Sequence, residues 1–189
     1  MDIETYNLKC YNILKDIKEA DGMYNYYNSR INKILKKDDE LLIEYFLKNV
    51  DKNSNIIEIA AGIGQVSHYL NINGFNNITV NECDKKRFNL AKLLNQSLNN
   101  TVNLNCNFYQ KIHLDKYDYI FCLNGVSSHL GKLDDIIIFK NLLNNGKKII
   151  LKEGYFGITN DTVFTDKLKE TCNFKILFET NKPIVLFYK

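Results

Sequence analysis

Arginine is scarce in this chain of 189 residues: Arg30 and Arg87 are the only two among 25 basic side chains. Arginine forms the bidentate contacts that recognise phosphate and guanine, so its scarcity disfavours a nucleic-acid partner. The formal net charge of +3 is also too small to indicate one. No apolar run approaches the roughly 20 residues that a membrane-spanning helix requires. The N-terminus is acidic and lacks the basic-then-apolar order of a signal peptide.

Cysteine is present in an odd number, five, and no two cysteines form a C-x-x-C pair. This pattern argues against a disulfide framework and against a zinc site, and it favours a reducing compartment. The three histidines also lack metal-ligand spacing, so we expect no bound metal. Together with the missing signal and membrane segments, these features predict a cytoplasmic protein.

Apolar residues recur at steps of three and four through the first 50 residues, which predicts helices. The helical stripes cover residues 3–17, 23–34 and 38–50. No linker rich in proline or glycine separates them from the rest of the chain. We therefore expect a single domain over 1–189, with an N-terminal helical cap at 1–54 and a core at 55–189.

Strand-like and helical runs alternate from residue 55 onward. Strands are predicted at 55–60, 77–82, 101–106, 117–123 and 148–153, and helices at 64–72, 85–97, 132–143 and 162–171. This order predicts an α/β fold with a parallel sheet covered by helices on both faces. Two more β-rich runs, 174–180 and 184–188, are joined by three residues, too few for a parallel crossover, so they form an antiparallel hairpin.

A glycine turn follows the first predicted strand and is the feature around which the chain is organised. The strand carries Glu58, and the turn reads Ala60-Ala61-Gly62-Ile63-Gly64. Small residues let the backbone approach a ligand, and the following helix start offers free N–H groups. Glu82 ends the second strand, 20 residues after Gly62. This spacing is typical of a site for a nucleoside-bearing cofactor.

In their order and spacing, these motifs resemble those of the class I S-adenosylmethionine-dependent methyltransferases. The matching segments are Glu58–Gly64, Asn81–Asp84 with Ala91 nine residues after Glu82, Tyr117–Leu123 and Leu142–Lys148. The resemblance covers residues 55–189. It implies a Rossmann-like, doubly wound sheet of seven strands with a C-terminal antiparallel hairpin, S-adenosylmethionine as cofactor, and methyl transfer as the reaction. The family's first loop glycine is Ala60 here.

The resemblance also implies roles for individual cofactor-binding residues. Glu58 belongs near the amino group of the cofactor's methionine part, with capping of the next helix as the alternative. Glu82 is expected to accept hydrogen bonds from both ribose hydroxyls. Cys83 is expected beside the adenine, with plain packing as the alternative. The complete predicted set is Glu58, Ala60, Ala61, Gly62, Gly64, Glu82, Cys83, Asn107, Phe108 and Asn124.

Catalytic and acceptor-binding residues are expected after the fourth and fifth strands and in the cap. His129 is the predicted general base, because its ordinary pKa lies near neutrality. Glu153 is the second candidate for this role. The predicted acceptor-binding residues are Tyr24, Tyr26, Arg30, Ser127 and Tyr155. Residues 123–126 lack the proline motif that the family uses to methylate amino groups of bases. A small molecule methylated on O or N is therefore the predicted acceptor.

Two alternatives remain open from the sequence. Residues 62–67 come near the G-x-G-x-x-G pattern of NAD-dependent oxidoreductases, although Ser67 replaces the third glycine and the terminal hairpin is foreign to that fold. The other alternative is a non-catalytic binding protein that keeps the methyltransferase fold. Neither the acceptor, the oligomeric state, nor transfer as opposed to cleavage of the cofactor follows from the sequence.

Overall fold

The computed structural model of the protein describes residues 1–15, 17, 34–123, 133–152, 161–180 and 183–189. The α-helices in these ranges are α1 (Ile3–Leu14), α2 (Lys37–Asn49), α3 (Gln65–Ile72), α4 (Lys85–Ser97), α5 (Leu133–Asn144) and α6 (Asp161–Lys169), and two short 3-10 helices lie at Tyr109–Lys111 and Leu114–Lys116. The strands are β1 (Ile56–Ile59), β2 (Ile78–Asn81), β3 (Asn103–Asn105), β4 (Tyr119–Cys122), β5 (Lys148–Lys152), β6 (Asn173–Phe178) and β7 (Ile184–Tyr188).

The seven strands form one sheet in the order β3-β2-β1-β4-β5-β7-β6. Strands β1 to β5 are parallel, and β7 runs antiparallel between β5 and β6. This confirms the predicted α/β architecture, the seven strands and the C-terminal hairpin. Each core element that was predicted lies within two residues of its expected bounds. The periodicity of apolar residues was sufficient because both faces of the central strands are buried.

The sheet is covered on both faces, as a doubly wound fold requires. Ile56 in β1 belongs to one buried cluster, and its neighbour Ile57 belongs to a second cluster on the opposite face. Side chains alternate across a strand, so one short apolar segment serves two cores. The first cluster receives helices α1, α2, α3 and α4, and the second receives α5 and α6. The N-terminal cap therefore packs on one face of the sheet.

The two described cap helices are held by apolar contacts with the core. Phe46 of α2 is fully buried, and its ring centroid lies 5.4 Å from that of Phe121 in β4. Tyr6 of α1 is also fully buried and lies edge-on against Tyr69 of α3 at 5.1 Å. Helix α1 ends at Leu14, three residues before the end of the predicted stripe at 17. Most of the second predicted cap helix lies outside the described residues.

The turns at the ends of the helices follow the expected backbone chemistry. Gly74 ends α3 with φ of 97° and Gly146 follows α5 with φ of 75°. These left-handed conformations favour glycine, as the prediction for Gly74 required. At the start of α4, Asp84 caps the helix by accepting a hydrogen bond from the Arg87 N–H at 2.9 Å. Among the described residues, no helix has the length and apolar character needed to cross a membrane.

Candidate functional site

The turn between β1 and α3, residues 60–64, has a left-handed backbone at three positions. Ala60, Gly62 and Gly64 have φ of 52°, 63° and 67°. A Cβ atom at Gly64 would lie 2.7 and 2.9 Å from the two methyl carbons of Val80. Glycine at 64 is therefore required both by its φ and by the close approach of the turn to β2. The turn lies at the carboxyl end of β1, where open α/β sheets bind ligands.

Ala60 adopts a conformation that is unfavourable for a residue with a Cβ atom. A left-handed conformation costs a non-glycine residue about 1–2 kcal/mol. The surrounding turn holds it there, because the Ala61 N–H donates to the Asn81 carbonyl at 3.0 Å and the Gly64 N–H donates to the Ala61 carbonyl at 2.9 Å. Glycine, which the class I methyltransferases have at this position, would adopt the same left-handed φ without strain. Alanine adopts it here with strain.

Glu82 directs its carboxylate at this turn. Its Oε2 accepts a hydrogen bond from the Gly62 N–H at 2.7 Å, and its Oε1 accepts one from the Asp84 N–H at 2.8 Å. The side chain is only 4% exposed. Each carboxylate oxygen has two lone pairs, so both oxygens keep an acceptor position for an incoming hydroxyl group. The acid that was singled out for ribose binding therefore faces the glycine turn rather than solvent.

A pocket lies beside Glu82, between the ends of β1, β2 and β3. Its lining residues are Ile59, Ala60, Asn81, Cys83, Asn107, Phe108 and Tyr109. Four of the predicted cofactor residues, Ala60, Cys83, Asn107 and Phe108, thus come together. Phe108 is 54% exposed, which is unusual for a large apolar side chain and leaves its ring available to a planar ligand.

Three residues of this pocket were not selected as site residues from the sequence: Ile59, Asn81 and Tyr109. The Asn81 side-chain amide donates to the Asn107 carbonyl at 2.7 Å and to the Asn105 carbonyl at 3.2 Å. It thereby fixes the loop that carries Phe108 against the end of β2. The sequence did carry a signal for Asn81, which is a polar residue at the end of an apolar strand. Burying an unpaired amide is costly, so such a residue is expected to have a hydrogen-bond partner. Tyr109 offered no comparable signal.

Glu58 is buried at the end of β1 and contacts the first turn of α3. Its Oε2 accepts from the Ser67 hydroxyl at 2.6 Å and from the Ser67 N–H at 3.3 Å. Burial raises the pKa of Glu58 to about 8; the Ser67 hydrogen bonds oppose the rise, and the nearby Asp39 and Glu82 add to it. The contact with the first-turn N–H is the helix capping considered as the alternative. Its role near the cofactor's amino group stays a prediction.

The remaining predicted site residues lie outside the described residues. They are the catalytic candidates His129 and Glu153, the cofactor candidate Asn124, and the acceptor candidates Tyr24, Tyr26, Arg30, Ser127 and Tyr155. Within the described ranges, no three histidine, cysteine or acidic side chains are placed to hold a metal ion. None of the five cysteines forms a disulfide bond. The buried His68 lies with its Nδ1 3.2 Å from the Asn100 side-chain amide, and burial lowers its pKa to about 4.

Known structures share this architecture. One is the magnesium protoporphyrin IX methyltransferase ChlM from Synechocystis PCC 6803, solved with bound SAM. The superposition covers 100% of this chain and 98% of the ChlM chain, with a TM-score of 0.67 and 12% sequence identity. The fold is that of the class I methyltransferases. Another is an S-adenosylmethionine-dependent methyltransferase from Clostridium acetobutylicum ATCC 824. This superposition covers 70% of this chain and 56% of the other chain, with a TM-score of 0.54 and 18% sequence identity.

The methyltransferase fold also occurs in WbdD, a bifunctional kinase-methyltransferase. One WbdD structure matches 95% of this chain with a TM-score of 0.69 and 13% identity, and this chain spans only 46% of that protein. No protein-family model matches the sequence, and no curated protein does either. At these identities the likeness establishes the fold and leaves the activity to be argued from the site.

Proposed function

We propose that this protein is an S-adenosylmethionine-dependent methyltransferase that transfers a methyl group to an O or N atom of a small molecule. The observation that carries the proposal is the Glu82 carboxylate, which binds the Gly62 N–H at 2.7 Å and keeps acceptor positions beside the glycine turn. A carboxylate held against a glycine turn suits a sugar with two vicinal hydroxyls better than it suits a phosphate.

The residues around Glu82 fit the remaining parts of this cofactor. Cys83 and Phe108 line the neighbouring pocket and offer polarisable and aromatic surface to an adenine ring. The turn at 60–64 leads into the N-terminus of α3, where N–H groups suit the carboxylate of an amino-acid tail. When bound, S-adenosylmethionine supplies a methyl group that its sulfonium already activates. The work of the chain is then to bind, to orient the acceptor in line and to exclude water.

A small-molecule acceptor is the second part of the proposal. ChlM, whose fold is shared, is named for methylating magnesium protoporphyrin IX, a small molecule. This chain also lacks the proline motif of base-amino methylation at 123–126, and it has only two arginines. We propose His129 as the general base and Glu153 as the second candidate for this role. The proposed acceptor contacts include the aromatic-basic group Tyr24, Tyr26 and Arg30. We also propose that the protein is cytoplasmic and folds as one domain.

Calorimetric titration with S-adenosylhomocysteine tests the cofactor assignment. We expect one-to-one binding. The Glu82→Gln variant should weaken it about 100-fold, because charge-assisted hydrogen bonds contribute about 1.5–3 kcal/mol each. The matched control is Glu170→Gln, which removes an exposed acid at the end of α6 and should leave the affinity unchanged. Circular dichroism of both variants checks that the fold is retained.

Absence of binding even at high ligand concentration would overturn the assignment. Fluorescence of NADH on mixing would instead support the oxidoreductase alternative, for which the case is weak because Ser67 replaces the third glycine of the pattern and the chain ends in an antiparallel hairpin. Incubation with labelled S-adenosylmethionine and a metabolite extract separates an enzyme from a binding protein. Label transferred to a small molecule supports the proposal, and label retained only in the protein-bound cofactor contradicts the enzymatic part.

A further inference from the structure

The exposed ring of Phe108 is held in place by its backbone more than by packing. The side chain is 54% exposed, so other side chains cover less than half of it. Asn81 and Asn105 are the final residue pair between β2 and β3, and Phe108 lies three residues beyond that pair. A ring on such a loop can contact a ligand in one defined position only where other bonds fix the loop.

Asn81 supplies those bonds from the buried end of β2. Its side chain is 3% exposed, and its amide nitrogen donates to the Asn107 carbonyl at 2.7 Å and to the Asn105 carbonyl at 3.2 Å. An amide nitrogen carries two hydrogens, so both donors are used. The Asn107 N–H in turn donates to the Asn105 side-chain oxygen at 2.9 Å. The residue immediately before Phe108 is therefore held at both its N–H and its carbonyl.

The same contacts join this loop to the backbone of Glu82. The Asn105 carbonyl accepts the Glu82 N–H at 3.1 Å as well as the Asn81 amide. Asn81 and Phe108 both line the pocket beside Glu82. The hydrogen bonds of Asn81 thus fix the distance between the exposed ring and the acid proposed to bind the ribose.

We propose that Asn81 is a positioning residue, which places Phe108 so that its ring stacks against the base of the bound nucleoside. This inference rests on the proposed function and deepens it, because it assigns the selection of an aromatic base to a side chain that acts through the loop. A positioning role has a defined consequence. Loss of the Asn81 hydrogen bonds weakens binding only while the ring at 108 is present.

A double-mutant cycle measured by calorimetric titration with S-adenosylhomocysteine tests this coupling. Phe108→Ala should weaken binding about tenfold, a loss typical of one stacked base. Asn81→Leu keeps the size of the side chain but removes both hydrogen bonds, and it should weaken binding by a similar factor. The double variant should bind no more weakly than Phe108→Ala alone.

Two results of the cycle would overturn the inference. One is an unchanged affinity in Asn81→Leu. The other is a pair of losses that multiply to about a hundredfold in the double variant, because Asn81 would then act independently of the ring.

Phe108→Trp provides a direct reporter of the ring position, since the chain contains no tryptophan. Saturating S-adenosylhomocysteine should quench its emission, because the base stacks on the indole. Addition of Asn81→Leu should reduce this quenching even when every site is occupied. A role of Asn81 limited to stability would lower the melting temperature and leave the quenching at saturation unchanged, and that result would contradict the inference.

Asn77→Leu is the matched control. Asn77 immediately precedes β2, at the opposite end of the strand from Asn81, and its amide donates to the Asn53 carbonyl at 2.8 Å. The substitution removes the same kind of hydrogen bond away from the pocket. Both the affinity and the quenching should therefore stay as they are without it.

If Asn81→Leu does not fold, Asn81→Ser takes its place in both experiments, with Asn77→Ser as its control. Serine keeps a polar group at the strand end but is too short to reach the Asn107 carbonyl. Failure of the unsubstituted protein to bind S-adenosylhomocysteine defeats the proposed function. Binding that shows neither the coupling nor the change in quenching defeats only this inference.

Discussion

Replacing Ala60 by glycine should stabilise the protein, because it removes backbone strain at the glycine turn. Ala60 has φ of 52°. The left-handed conformation costs alanine about 1–2 kcal/mol, whereas glycine adopts it without steric penalty. Glycine in turn lowers stability by about 0.4–1 kcal/mol through the greater freedom of the unfolded chain. The net gain should be about 0.5–1 kcal/mol, and a domain of this size should melt about 2–3 °C higher.

Two control variants locate the strain. Asn99 also has a left-handed φ, of 54°, but asparagine tolerates this conformation, so Asn99→Gly should change stability very little. The converse variant, Gly64→Ala, should be strongly destabilising, because the added Cβ would lie 2.7 Å from a Val80 methyl carbon at a left-handed position. All three are compared by urea unfolding and by thermal melts followed with circular dichroism.

The reasoning is refuted if Ala60→Gly lowers the melting temperature, or if Asn99→Gly raises it equally. The first result would mean that the surrounding hydrogen bonds do not impose the strained conformation in solution. The second would mean that the gain comes from a general effect of glycine. Binding of S-adenosylhomocysteine should be at least as tight in Ala60→Gly, since the turn keeps the same backbone course.

Three further predictions concern stability. The pKa of Glu58 is raised from 4.5 to about 8, so its stabilising contribution is present below about pH 4.5 and is lost as the pH rises through 8. Urea unfolding between these values should show a decline, on the order of 4 kcal/mol, that Glu58→Gln abolishes. The pKa of the buried His68 is lowered to about 4, so stability present above its ordinary 6.5 should be lost as the pH falls through 4. In His68→Gln the free energy of unfolding should fall less steeply below pH 6.5. An unchanged fall would mean that other groups cause the loss of stability in acid. Phe46→Ala should cost about 3–5 kcal/mol in the free energy of unfolding, since Phe46 joins the cap to the sheet; a smaller loss would show that the cap contributes little.

Much of the fold followed from local patterns in the sequence. The switch from helical periodicity to alternating strands and helices after residue 55 predicted every described strand and α-helix of the core, and the three-residue joint before Ile184 predicted the antiparallel hairpin. The spacing between Gly62 and Glu82 likewise predicted a shared site. These patterns are readable because each depends on neighbouring residues, on burial of both strand faces, or on a connection too short for another geometry.

Other features depended on contacts between distant parts of the chain. Asp39 looked like an ordinary helix-start acid and Tyr6 like part of an apolar stripe, but packing of α1 and α2 on the sheet brings both to the start of α3. Asn81 gained its role only through the pairing of β2 with β3. The sequence by itself determined which segments become strands, helices and turns, because local chemistry decides this. Only the tertiary structure decided which side chains meet, because strand order and helix packing join residues that no local pattern connects.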